Sequence, residues 1–94
     1  MSTPTDNAAA LKAFVDVRLA AAKEMPPVEA VWFLRKWAQH VARQQVSLAR
    51  YAVGTSELAA HLVGLQVTHL IEAEGLLSSA ANEYEALVKR AVAA

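Results

Sequence analysis

A long uncharged segment dominates the sequence. The residues from Leu58 to Ile71 include no Asp, Glu, Lys or Arg and are flanked by Glu57 and Glu72. On a helix, their apolar side chains would spread over roughly 240°, whereas a single packing stripe needs only about 100°. A helix with so wide an apolar arc has to be covered on at least two sides. We therefore predict that this segment is the central helix of a bundle.

The same segment contains small residues at regular spacing. Ala60, Gly64 and Thr68 recur every fourth residue and leave a strip where another helix backbone can come close. The strip packs either under a helix of the same chain or against a second chain. The segment would be about 21 Å long as a helix, shorter than the ~30 Å hydrocarbon layer. We therefore expect no membrane span.

Length and composition limit the classes of function. With 94 residues, the chain is expected to be a single helical domain, 1–94. Nine basic and nine acidic residues cancel, so no net charge attracts nucleic acid or anionic lipid. The absence of cysteine excludes disulfides and thiolate metal sites. The N-terminal residues do not resemble a secretory leader, so a cytoplasmic location is expected.

More than half of the residues are apolar. The apolar fraction is 55%, more than so small a domain can bury, because small domains have a large surface for their volume. Alanine accounts for much of this fraction, but Leu, Val, Trp and Phe side chains remain. We expect another chain to cover part of this surface.

Proline and glycine divide the chain into three predicted helices. Pro26 and Pro27 end the first helix because neither can donate the helical hydrogen bond, and Pro27 suits the first position of the next helix. Gly54 ends the second helix, and Thr55 or Ser56 can cap the third. The predicted helices are about 6–24, 27–53 and 56–91.

Two boundaries stay open. Helix two can instead continue through Gly54, since one glycine costs a helix only about 1 kcal/mol. Helix three can kink near 75–78, where a glycine precedes two leucines and a serine. The first helix has an apolar stripe made of Leu11, Phe14, Val15, Val17 and Leu19.

Helix two has an apolar seam with one polar member. The seam consists of Val31, Leu34, Ala38, Val41, Gln45, Leu48 and Ala52. Gln45 either fixes the register of packing or occupies a partly exposed position.

Three aromatic residues crowd the start of this helix. Trp32, Phe33 and Trp37 cannot all point into the seam, and the two tryptophans lie about 140° apart around the helix. Each singly could pack on helix one, but all three together are not expected to do so. Large aromatic residues commonly anchor interfaces. We predict a protein interface formed by Trp32, Phe33, Trp37, Leu58, Leu62 and Leu65.

Basic residues form a row on helix two. Lys36, Arg43 and Arg50 lie seven residues apart on one face. Such a row could bind phosphate or an acidic partner, but a solvated face is the commoner meaning, and three bases without interleaved aromatic residues are weak evidence for nucleic acid. Nucleic acid is therefore not expected as a partner.

The charges are also segregated along the chain. The range 35–50 holds four basic residues and no acid, whereas 51–88 holds five acids and no base. If helices two and three are antiparallel, these opposite charges can meet within the chain or between copies.

Histidine and carboxylate residues on helix three suggest an alternative function. His69 and Glu72 are three residues apart and could reach one metal ion, with His61 nearby on the helix, as in carboxylate–histidine bundles. Those bundles use the order Glu-x-x-His, which is reversed here, and helix two supplies only Glu29 and His40. No metal or other cofactor is predicted.

Taken together, these patterns favour an all-α three-helix bundle, a helical hairpin plus an N-terminal helix, completed by self-association. We expect a non-enzymatic assembly or adaptor subunit whose partner is a second copy or another protein. The alternative is a helical bundle that binds a metal ion or a small apolar ligand.

Overall fold

The computed structural model describes the backbone of residues 4–54 and 56–93 and the side chains of residues 8–54 and 56–93. Within these residues the chain forms three α-helices and no strand, which confirms the predicted all-α, three-helix fold. The helices are α1 (Pro4–Lys23), α2 (Pro27–Ala52) and α3 (Glu57–Ala93). No helix in the described part has the length and hydropathy needed to cross a membrane.

Local chemistry explains both chain reversals. α2 starts at Pro27, where a missing N–H costs no helical hydrogen bond. After Ala52 the chain turns extended at Val53, and Gly54 has φ of +83°, a left-handed conformation that suits glycine. α2 therefore ends before Gly54 instead of continuing through it. The hydroxyl of Ser56 then accepts a hydrogen bond from the Ala59 N–H at 3.2 Å and caps α3. The other predicted cap, Thr55, lies outside the described residues.

α3 is one long helix. Its 37 residues continue without interruption through Gly75 and the following 76–78, so the chain has no break there. At about 1.5 Å per residue, α3 is about 55 Å long.

α2 and α3 form an antiparallel hairpin whose tip includes Val53, Gly54 and Ser56. Two contacts define their register: the side-chain amide of Gln45 lies opposite Glu74, and the guanidinium of Arg35 lies opposite Glu85. α1 packs on one side of this hairpin, where Leu11 lies close to Leu48 and Leu70. The other side, which we call the open side, has a cleft between α2 and α3 lined by no α1 residue.

The core is narrow and rich in alanine. Its largest fully buried side chains are Leu34, Leu77, Val15 and Val41. The buried residues are Val15, Ala22, Ala30, Leu34, Ala38, Val41, Leu70, Ala73, Leu77 and Ala81. No charged side chain is buried in the described part of the chain.

Two details of the predicted apolar stripes are wrong. Val17, assigned to the apolar stripe of α1, is 61% exposed, because α1 rests on the hairpin through Val15 and Ala22. At the start of the α2 seam, Ala30 is fully buried and Val31 only half-buried. Near Pro26 and Pro27, α2 therefore packs on the other helices through Ala30 instead of the larger Val31.

The uncharged segment is not covered on two sides within the chain, so that prediction is wrong for a single copy. Only Leu70 of the segment is buried, whereas Leu58 is 69% exposed, and Leu62, Leu65 and Ile71 are also exposed. The described side chains at the start of α1 lie beside α3 residues from Gln66 onward. The first turns of α3, before Gln66, therefore lie beyond the part of this helix that the described α1 side chains contact.

The molecule is elongated, with principal dimensions of 56 × 22 × 13 Å. Its radius of gyration is 15.9 Å, against about 12.4 Å for a compact domain of this length. The accessible surface is 6521 Å², whereas a compact monomer of this mass is expected to have about 5,300 Å². The fold thus leaves about 1,200 Å² of extra surface in contact with solvent.

Candidate protein-interaction surface

Two of the three predicted aromatic anchors lie inside the bundle. Trp37 packs edge-to-face on Phe14 of α1, with ring centroids 5.4 Å apart, and on Phe33 at 6.4 Å. The guanidinium of Arg18 lies over both the Phe14 ring, at 3.7 Å, and the Trp37 ring, at 4.4 Å. This cluster joins α1 to α2, so Trp37 and Phe33 stabilise the fold of one chain.

The third aromatic residue points outward. Trp32 is 76% exposed and lines a shallow cleft with Lys36, Arg35 and Gln39 on the outside of α2. The structure therefore separates the two tryptophans, with one in the α1–α2 contact and one facing solvent.

The basic row, Lys36, Arg43 and Arg50, is fully available on the outer edge of α2. All three side chains are exposed, and none forms an ion pair with a described carboxylate. Trp32 precedes Lys36 by four residues and lies within about 40° of the whole row. Trp32 therefore lies on this face at the end of the row and is not interleaved between its bases.

Arg35 uses its charge within the chain. Its guanidinium donates hydrogen bonds to the Glu85 carboxylate and to the side-chain oxygen of Asn82, at 3.1 Å for Asn82. Lys89 adds a second ion pair to Glu85 at 3.3 Å. Arg35, followed by Lys89, lowers the pKa of Glu85 below its ordinary value. The predicted contact between opposite charges of α2 and α3 is thus made by this one basic residue of α2.

Gln45 links the two helices of the hairpin. Its side-chain amide donates to the Glu74 carboxylate at 2.8 Å, and both residues are half-buried. Of the two roles considered for Gln45, this contact favours a role in register, because a one-turn slip would separate the pair.

The predicted interface leucines lie at the tip of the hairpin. Leu58, Leu62 and Leu65 share one exposed face of α3, in line with the surface that α1 covers farther along the helix. Trp32 is near the opposite end, about 35–45 Å away along the bundle. The structure therefore does not bring the six predicted interface residues together: it gives an internal aromatic pair, one exposed tryptophan and a separate leucine patch.

The strip of small residues faces solvent. Ala60 is half-buried, Gly64 and Thr68 are exposed, and the Thr68 hydroxyl donates to the Gly64 carbonyl at 3.0 Å. A Cβ placed on Gly64 would meet no described atom within 4 Å. Because no described part of another helix packs on Gly64, the interpretation of the strip as an intrachain contact is wrong for this residue.

The structure separates His61 from the other two candidate ligands of α3. His61 is exposed, whereas the half-buried His69 and the exposed Glu72 line one cleft together with Lys12 and Asp16 of α1. Among the described residues, no three His, Asp or Glu side chains are placed to hold one metal ion.

An additional apolar surface lies on the open side of the hairpin near its tip. We call it the tip patch, and it consists of Val46, Ala49, Val67 and Ile71. Val46 follows Ala42 by four residues and Val67 precedes Glu74 by seven, so both share the face of the open-side cleft. Val46 and Ile71 are each about half exposed. A second apolar row on α2, offset from the seam, is the sequence signal that marks this patch.

Comparison of the chain with protein-family models, with curated protein sequences and with solved structures gives no match.

Proposed function

We propose that this protein is a non-enzymatic assembly or adaptor subunit that works by associating with itself or with another protein. The observation that carries this proposal is the large apolar surface of a chain whose own core is narrow. Exposed large apolar side chains include Trp32 on α2 and Leu58 and Ile71 on α3. Apolar patches of this kind on a small protein commonly mark interaction sites.

The amount of extra surface is of the right size for an interface. A stable protein–protein interface buries about 800 Å² on each partner. The extra surface of about 1,200 Å² per chain exceeds that value. One interface of ordinary size would therefore bring this elongated chain to the solvent exposure expected of a compact protein.

The alternative of a small apolar ligand has one supporting feature. A groove of about 660 Å³ lies between the helices and is lined by Leu11, Phe14, Leu48 and Leu70 together with polar residues. It is open to solvent along its length, whereas ligand sites commonly bury 70–90% of a drug-sized molecule. The groove therefore supports ligand binding less well than the exposed patches support a protein partner.

The two tryptophans provide a matched test of the proposed function. Trp32→Ala should weaken self-association, because a large exposed aromatic can contribute about 2 kcal/mol when a partner buries it. Trp37→Ala should instead lower the stability of the single chain by about 3–5 kcal/mol, because it removes the ring between Phe14 and Phe33. Sedimentation equilibrium measures the first effect and urea denaturation the second.

Circular dichroism of both variants is the control for folding. Trp32→Ala should keep the helix content of the wild type. If Trp32→Ala unfolds the chain, or if association is unchanged when Trp32 is removed, the outward tryptophan is not part of an interface.

A further inference from the structure

We propose that two copies of this chain pack open side against open side through the tip patch. We infer that their two-fold axis runs parallel to the long axis of the hairpin. In this arrangement, α2 of each copy lies on α3 of the other. The inference rests on the proposed self-association and adds to it the surface and the orientation.

The tip patch is accessible to a partner over its whole width. Val46 and Ala49 come from α2, and Val67 and Ile71 from α3, so the patch spans both helices of the hairpin. α1 lies on the opposite side and does not cover it. Gly64 lies at the border of the patch, and no described atom lies above it, which leaves room for a helix to approach.

The open side changes character away from the tip. Farther along the hairpin it presents Arg35, Gln39 and Glu85, with Arg35 and Glu85 already paired to each other. Apolar residues are thus grouped at one end and polar residues follow them, as in an interface with an apolar centre and a polar rim. The apolar centre of the contact is therefore expected in the tip half of the hairpin, and the outer edge of α2, with Trp32 and the basic row, is expected at its rim.

Charge decides between the two ways of placing the two-fold axis. The outer edge of α2 carries the basic row, and α3 carries the exposed Glu72, which also borders the cleft beside α1. An axis across the hairpin would stack α2 on α2 and bring like charges together. An axis along the hairpin stacks α2 on α3 and brings opposite charges together. None of these charges has an ion-pair partner among the described residues of its own chain.

The register within the hairpin identifies which charged residues of α2 and α3 lie at the same level in the two copies. Because Gln45 lies opposite Glu74 and Arg35 opposite Glu85, Arg43 is level with about residue 76 of α3 and Arg50 with about residue 69. A two-fold axis along the hairpin preserves these levels between copies. Glu72 then lies between the levels of Arg43 and Arg50 of the second copy, within about one helical turn of each.

The first test compares two identical substitutions on different faces. Val46→Asp places a charge in the tip patch, whereas Val17→Asp places it on an exposed part of α1 with similar accessibility. Val46→Asp should raise the dimer dissociation constant at least about tenfold, and Val17→Asp should leave it unchanged. Sedimentation equilibrium gives the constants, and circular dichroism checks that both variants are helical.

The second test addresses orientation. The chain has no cysteine, so single-cysteine variants form only the disulfides that the contact allows. A mixture of Val46→Cys and Ile71→Cys proteins should form mixed disulfide dimers under mild oxidation, in preference to dimers of either variant with itself. In the same way, Arg43→Glu and Glu72→Arg should each weaken association, and mixing them should restore part of it.

The outcomes separate this inference from the proposed function. If the wild type dimerises but Val46→Asp has no effect, or if Val46→Cys links mainly to itself, the proposed surface or orientation is wrong and self-association stands. If the wild type stays monomeric at high micromolar concentration, self-association itself is wrong and the inference fails with it.

Discussion

At the scale of single residues, two glycines with different backbone conformations have opposite roles. Gly54 adopts φ of +83° at the tip, whereas Gly75 lies inside α3 and a Cβ there would meet no atom within 4 Å. Gly54→Ala should destabilise the fold by about 1–2 kcal/mol, because a side chain is strained in the left-handed region. Gly75→Ala should stabilise it by up to about 1 kcal/mol through higher helix propensity.

Urea denaturation at a fixed, low protein concentration measures both effects on the free energy of unfolding. Each glycine serves as the control for the other, since the substitution is the same. A stabilising effect of Gly54→Ala would mean that α2 and α3 continue through the tip as one helix in solution.

Glu85 gives the fold a predicted dependence on pH. Arg35, and then Lys89, lowers the pKa of Glu85 in the folded chain. Its contribution to stability is therefore present above the unfolded pKa of about 4.3 and is lost as pH falls through the folded pKa. Glu85→Gln should make the thermal midpoint less sensitive to acid below about pH 4.3.

The matched control is Glu83→Gln. Glu83 is exposed, lies on the same helix and has no ion pair with a described residue. This variant should keep the wild-type pH profile of the thermal midpoint. Equal loss of acid sensitivity in both variants would contradict a special role for the Arg35–Glu85 contact.

At the scale of elements, the ends of α2 could be predicted because they depend on local chemistry. Pro27 and Gly54 act through their own backbone geometry, and no distant residue is needed to explain them. The observed helices start or end within about two residues of the expected positions, which is the usual uncertainty of helix boundaries.

Which side chains of each helix are buried by the other helices could not be predicted in the same way. The segment Leu58–Ile71 is helical as predicted, but the sequence does not say how far α1 reaches along it. That reach depends on helix lengths and on the register of packing. The same applies to Trp32 and Trp37, since their separation of about 140° requires different environments but does not say which side α1 occupies.

At the scale of the whole molecule, the fold is a long hairpin with a shorter helix on one side. Such a shape buries few side chains in each layer, so half of the buried residues among those described are alanine and none is aromatic. The open side, the outer basic row and the first turns of α3 remain in solvent. A second chain is the partner that we propose for these exposed surfaces.

The most direct test of this account is the mass of the native protein in solution. One chain has a mass of 10.1 kDa. Sedimentation equilibrium over a range of concentrations should give a mass that rises to a multiple of this value, with a dimer as the first associated species. A constant mass of one chain at high micromolar concentration would contradict self-association as the role of the exposed apolar surface.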